Sequence, residues 1–213
     1  MAVGVGLALL MRHMARSVRI LLQTGLLLAW AMPVVASLTV WEWLFDTQYG
    51  VINYLLTQMG FDFEGHSWLL RPLSFFFVAT VIVVWMSVPF VAFTVYAALT
   101  QVPEDLLEAA EIDGASAWSR LRHIILPSVR PVLLVVGLLQ IIWDLRVFSQ
   151  IYILQKAGGS THDTNLLGTY IYRLGIGGGE FGMAAAVAMF MLVLTVVLTS
   201  PYVRAMLKQE GEA

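Results

Sequence analysis

Residues 72–99 read PLSFFFVATVIVVWMSVPFVAFTVYAAL, 28 positions without one charged side chain. An α-helix of that length extends roughly 42 Å at about 1.5 Å per residue, beyond the roughly 30 Å hydrocarbon core of a bilayer. A helix of a soluble domain keeps a polar stripe, so one that is apolar all round for this long reads as membrane-spanning. Three further runs carry the pattern outward. Residues 20–45 hold a single charge, Glu42; residues 131–154 hold Asp144 and Arg146; residues 182–202 hold none. Each meets the roughly 20 residues that a span needs. Residues 20–45, 72–99, 131–154 and 182–202 are therefore predicted as transmembrane helices, with kinks at Pro33 and Pro89. The runs are too long for barrel strands and lack their two-residue alternation.

Composition agrees. Of 213 residues, 59% are hydrophobic and 12% charged, and the mean hydropathy is +0.81. So thin a charged shell does not suit a water-soluble domain. The net charge of −2 excludes a basic nucleic-acid binder, and zero Cys excludes disulfide scaffolds, Cys-ligated zinc and Cys nucleophiles.

Residues 1–11 are apolar but too short to span, and Arg12, His13, Arg16 and Arg19 follow them. A secretory signal places its cations before the apolar segment, so this order points instead to the second half of a spanning helix ending at a basic loop. The expectation is an N-terminally incomplete chain: a bare helix end at mid-depth would leave its first N–H groups without partners. Lys and Arg set the orientation. Eight flank one face (Arg12, Arg16, Arg19, Arg120, Arg122, Arg130, Arg204 and Lys208) and three the other (Arg71, Lys156 and Arg173), so the first face is expected to be cytoplasmic. Trp41, Trp43 and Trp68 suit the outer interfacial belt. Gly158, Gly159 and Ser160, and the glycines between 175 and 179, are turn signals in an outer segment.

The cytoplasmic stretch 100–130 carries most information. Pro103 suits the first turn of a helix, and Glu104 and Asp105 complement its dipole. Glu104, Glu108 and Glu111 form an acidic stripe, with Leu106, Leu107 and Ala110 opposite. Gly114, in a left-handed conformation, is expected to end the helix. Ser116 is expected to cap a second short helix with Trp118, Leu121 and Ile125 on one side and Pro127 closing it. Glu108, Ala109 and Ala110, then three residues, Gly114, nine residues, Ile124, one residue, and Leu126 with Pro127 reproduce the EAA spacing of ABC importer permeases. Asp113, Ala115, the aromatic Trp118 and Pro131 extend the match to the sugar-permease form, with Leu121 in place of its usual Phe.

The chain thus resembles the permease subunits of binding-protein-dependent ABC sugar importers, of the maltose, trehalose and glycerol-phosphate type. Residues 30–33, Trp41 and residues 49–53 are similar to the third helix of those proteins and the loop after it. Phe148, Ile151, Tyr152, Gly158, Gly159 and residues 170–172 are similar to the region between their last two helices. The resemblance implies an all-α polytopic bundle of the type I importer fold with a six-helix core, of which this chain would supply the last four and half of the second. It further implies a multi-pass protein of a bacterial or archaeal cytoplasmic membrane. Its partners would be a second permease, two cytoplasmic ATPases holding ATP and Mg, an extracytoplasmic sugar-binding (lipo)protein, the sugar itself and membrane lipid. Glu108, Ala109, Ala110, Asp113, Gly114, Ala115, Ile124, Leu126 and Pro127 would couple to the ATPases. An importer of another solute, such as glycerol phosphate or a polyol, would share this architecture.

Other chemistry is sparse. A P-loop needs Gly–Lys, and the two lysines, Lys156 and Lys208, follow Gln155 and Leu207. The four His lie in different loops, which argues against a metal. Gly4 and Gly6 read as helix packing, and the chain needs no cofactor of its own. Asp144 and Arg146 are functional candidates because they lie within a span. They point about 200° apart at 100° per residue, so they do not pair. Either Arg146 snorkels and Asp144 bonds a neighbouring helix, or both line a sugar path with Trp143, Phe148 and Tyr152. An intramembrane enzyme would need a second catalytic group at the depth of Asp144, and a membrane scaffold would have no reason for the EAA spacing.

Overall fold

The structure, a computed structural model, describes residues 1–211. Every regular element among them is helical: α1 (Ala2–His13), α2 (Arg16–Ala31), α3 (Val34–Leu44), α4 (Val51–Gln58), α5 (Pro72–Leu99), α6 (Glu104–Ile112), α7 (Ala117–Arg120), α8 (Leu126–Leu145), α9 (Ser149–Lys156), α10 (Leu167–Tyr172) and α11 (Phe181–Gly211), with π-helical turns at Leu121–Ile125 and Arg173–Gly177. Pro72–Leu99, Ala117–Lys156 and Phe181–Lys208 are long and apolar enough to cross a membrane, and α2 with α3 would make a fourth if the pair is one span.

Two predicted helices are interrupted. The expected continuous helix over 20–45 begins at Arg16, stops at Ala31 and restarts at Val34. Pro33 has no N–H to donate and disfavours helical geometry at Met32, so the prediction of a kink understates the effect. The expected helix over 131–154 begins at Leu126, breaks at residues 146–148 and resumes as α9. There the N–H groups of Arg146 and Val147 turn back to the carbonyls of Trp143 and Asp144 at 3.0 and 3.4 Å, a tightened last turn. By contrast α5 runs unbroken through Pro89.

The chain forms two compact units. One comprises Met1–Trp30, Ser87–Ile142 and the chain from Val196 onward. Its core joins Ala8 and Met11 of α1 to Val91, Ala92, Val95 and Leu99 of α5 and Val129 and Val136 of α8. A Cβ at Gly4 would stand 2.6 Å from Cβ of Val91, so glycine is what lets α1 lie against α5; Gly6 meets nothing, and its packing role is not found.

The other unit comprises Ala31–Met86 and Trp143–Thr195. Leu38, Phe45, Phe75, Val78, Ile82, Ile151 and Leu154 form its core. An aromatic cluster extends it: Trp41 meets Trp85 edge-on at 5.6 Å, Phe45 meets Trp68 at 5.5 Å, and Phe63 stacks on Trp68 at 5.4 Å. Trp41 and Trp68 are thus packed, whereas Trp43 is exposed.

Candidate functional site

The segment between α5 and α8 folds as two short helices around a tight turn. Pro103 stands at the N-terminus of α6, with Glu104 and Asp105 in its first turn. The helix ends as Gly114 takes a φ of +78°. The Gly114 N–H donates to the Glu111 carbonyl at 3.0 Å and the Ala115 N–H to Ala110 at 2.9 Å, the paired bonds of a Schellman turn. Ser116 caps α7, its hydroxyl accepting from the Ser119 N–H at 3.2 Å. Arg120 closes the loop by an ion pair to Glu111.

Pro127 does not close the second helix. The chain passes from α7 through the π turn, where the Leu126 N–H reaches back to Leu121, and continues into α8 with Pro127 in its first turn. A wider turn followed by a helix start absorbs the missing donor.

The loop presents a mixed surface. Glu104, Glu108 and Glu111 are exposed, as are Ala109, Asp113, Gly114 and Pro127, while Ala110, Ala115, Ile124 and Leu126 are half-buried. Leu107 packs on the core, but Leu106, expected on the same face, is exposed. Ile112 is 86% exposed and Trp118 67% exposed, large apolar side chains left mostly open on the loop's surface. Beneath the loop lies a mainly apolar groove of about 430 Å³ between Leu9, Arg12 and His13 of α1 and Leu107, Trp118, Leu121 and Ile125. The sequence places Trp118, Leu121 and Ile125 on one side; that the last turn of α1 is the opposite wall emerges only in three dimensions.

The predicted path residues are only partly brought together. Phe148 and Tyr152 stack at 5.4 Å, and Tyr172, which sequence reasoning missed, meets both edge-on at 5.4 and 5.3 Å. The Lys156 ammonium stands 4.5 Å from the Tyr152 ring centroid. Trp143, Asp144 and Arg146 are exposed and do not join this cluster. The side chains of Asp144 and Arg146 neither hydrogen-bond nor ion-pair with a described residue, so the expected bond from Asp144 to a neighbouring helix is not formed within the described chain. Gln140 was also missed. Its side chain is buried in α8, and its Oε1 has no hydrogen-bond partner among the described residues. An uncharged amide inside an apolar run carries no charge signal, and its burial is a tertiary fact. No group of three or more acidic or His side chains among the described residues is placed to hold a metal.

Over residues 2–203 the chain matches the family described as binding-protein-dependent transport system inner membrane component. The chain belongs to this family. It is 43% identical over 213 residues to the diacetylchitobiose uptake system permease protein of Streptomyces coelicolor, covering 100% of this chain and 65% of that one. It is 35% identical over 203 residues to the trehalose/maltose transport system permease protein of Thermococcus litoralis, covering 94% of this chain and 66% of that one. The chain therefore spans just under two thirds of the length of these curated relatives. A solved bacterial ABC transporter involved in import of the acidic polysaccharide alginate superposes with a TM-score of 0.82 at 21% identity, over 97% of this chain and 72% of the other. The fold is that of the type I ABC importer permeases, and the family is one of inner-membrane components of transport systems.

Proposed function

We propose that the chain works as the permease subunit of an ATP-driven importer that translocates a sugar delivered by an extracytoplasmic binding protein. The observation that carries this reading is the loop after α5. Its EAA-spaced residues form a stiff helix–turn–helix that offers exposed Glu108, Ile112 and Trp118 to a partner. The excess of Lys and Arg on this loop's face supports a cytoplasmic location. A second permease completes the path, and two ATPases holding ATP and Mg receive the loop. Closure of the ATPases moves α6 and α7 as a rigid body, because the Schellman turn and the Glu111–Arg120 pair lock the helices together. The names of the two relatives quoted above support a sugar as cargo. Asp144, with Trp143, Arg146, Phe148 and Tyr152, lines the path in this reading, supported by an exposed Asp144 carboxylate that makes no hydrogen bond or ion pair within the described chain.

Gly114→Glu and Glu108→Lys test the assignment. Both should abolish transport while leaving the protein inserted and assembled with its partner permease. A variant complex whose ATPase is still stimulated in full by sugar-loaded binding protein would refute it.

A further inference from the structure

A second recess lies on the segment between α3 and α5. It measures about 500 Å³ and is lined by Gln48, Tyr49, Tyr54, Thr57, Gln58 and Glu64, a volume in the range of small-molecule sites. Its frame is fixed by groups fully used for that purpose. The Asp46 carboxylate accepts from the Gln48 and Tyr49 N–H groups, each at 2.8 Å. Asn53, buried, donates to the carbonyls of His66 at 2.8 Å, Thr47 at 3.3 Å and Asp46 at 3.4 Å, and accepts from Trp68 Nε1 at 2.6 Å. A Cβ at Gly50 would stand 2.2 Å from the Asp46 carbonyl oxygen, so the turn tolerates no side chain there.

The groups facing the recess are the opposite case. Tyr49 is 78% and Tyr54 64% exposed, and the side chains of Gln48, Thr57, Gln58 and Glu64 hydrogen-bond to no described residue. Two free aromatic faces, two amides, a hydroxyl and a carboxylate around one cavity supply what a sugar ring asks for. The negative ring faces attract its C–H groups, and the amides both donate to and accept from its hydroxyls. One carboxylate and no Lys, Arg or His line the recess, so a uronate or sugar phosphate would meet only like charge.

We propose that this recess is a carbohydrate subsite for a neutral sugar, held there before it enters the path. The proposal rests on the sugar-import reading, which places the loop before α5 on the extracytoplasmic face, across one span from the coupling loop. Saturation-transfer NMR on the intact permease–ATPase complex, with the binding protein omitted, tests it with N,N′-diacetylchitobiose, maltose and glucose 6-phosphate as probes. The neutral disaccharides should give transfer and the phosphate none. Tyr49→Ala with Tyr54→Ala should weaken binding roughly tenfold, about the contribution of two aromatic contacts, while Tyr49→Phe with Tyr54→Phe should retain it. Equal binding by the alanine variant, transfer from no neutral probe, or equal transfer from glucose 6-phosphate overturns the subsite. So does an alanine variant that binds sugar normally but loses stimulation by the binding protein, since that assigns the recess to protein docking. Uptake separates the two readings: import of a neutral sugar without binding at the recess removes only the subsite, and binding at the recess without import of any probe removes the import reading and, with it, the recess's place before the path.

Discussion

Replacing Gly114 with alanine isolates the turn of the coupling loop from everything around it. Its φ is +78°, and no atom lies within 4 Å of the place a Cβ would take, so the cost is backbone strain alone. For an L-residue that strain is about 1–2 kcal/mol, a factor of roughly 5–30 in the population of the native turn. The bonds at stake are those from the Gly114 N–H to Glu111 and the Ala115 N–H to Ala110. Hydrogen exchange on the detergent-solubilised protein should show the amides of residues 114 and 115 losing protection by that factor, with the amides of α5 and α8 unchanged. Gly114→Asn should fall between glycine and alanine, because Asn tolerates the left-handed region. Transport by the reconstituted importer should follow the same order. Equal protection of both amides in the glycine and alanine proteins refutes the reasoning, since nothing but φ distinguishes them.

A Cβ at Gly159 would stand 2.5 Å from the Phe75 ring, and Phe75 is fully buried; Gly159→Ala should therefore cost about 1–3 kcal/mol by overpacking, read as a lower unfolding midpoint. Asn53→Ala should strip partners from Trp68 Nε1 and the His66 carbonyl, which are half-buried, at up to about 1–3 kcal/mol for each group left unpaired; faster protease cleavage between residues 47 and 66 is the readout, and an unchanged rate counts against the network. Backbone N–H groups of Tyr49 and then Gln48 hold the Asp46 carboxyl below its ordinary value. A lowered folded pKa stabilises above the unfolded value of about 3.9 and is lost as pH falls through the folded one, so the turn at residues 46–50 should loosen below about pH 4 in the wild type, and Asp46→Asn should remove that dependence. Asp144→Asn should alter the KM of uptake without lowering the thermal stability of the complex, because the Asp144 carboxylate hydrogen-bonds no described residue; a fall in stability at constant KM would reassign it to packing.

The chain order of apolar and polar residues was enough to place the long helices near Pro72–Leu99, the coupling loop and its turn, because these features depend on neighbours in sequence. A helix needs only its own carbonyls, a Schellman turn only a glycine at the right position, and the EAA spacing is itself a sequence quantity. Other features depended on residues far apart in the chain. Pro33 signals trouble in a helix, but whether the helix bends or stops is decided by what α3 packs against, and Leu38 and Phe45 of that segment join a core with Phe75 and Ile151. Leu106 and Leu107 are identical in type and adjacent in sequence, yet only Leu107 packs on the core and Leu106 is exposed, since successive helical residues point about 100° apart. Asn53 is an unremarkable amide until His66 and Trp68, more than a dozen residues later, close on it. The recess and the groove beneath the coupling loop are spaces between such segments, and a space has no sequence of its own. Local hydrogen bonding and hydropathy fixed the elements; the long-range packing of side chains decided which surfaces were left open.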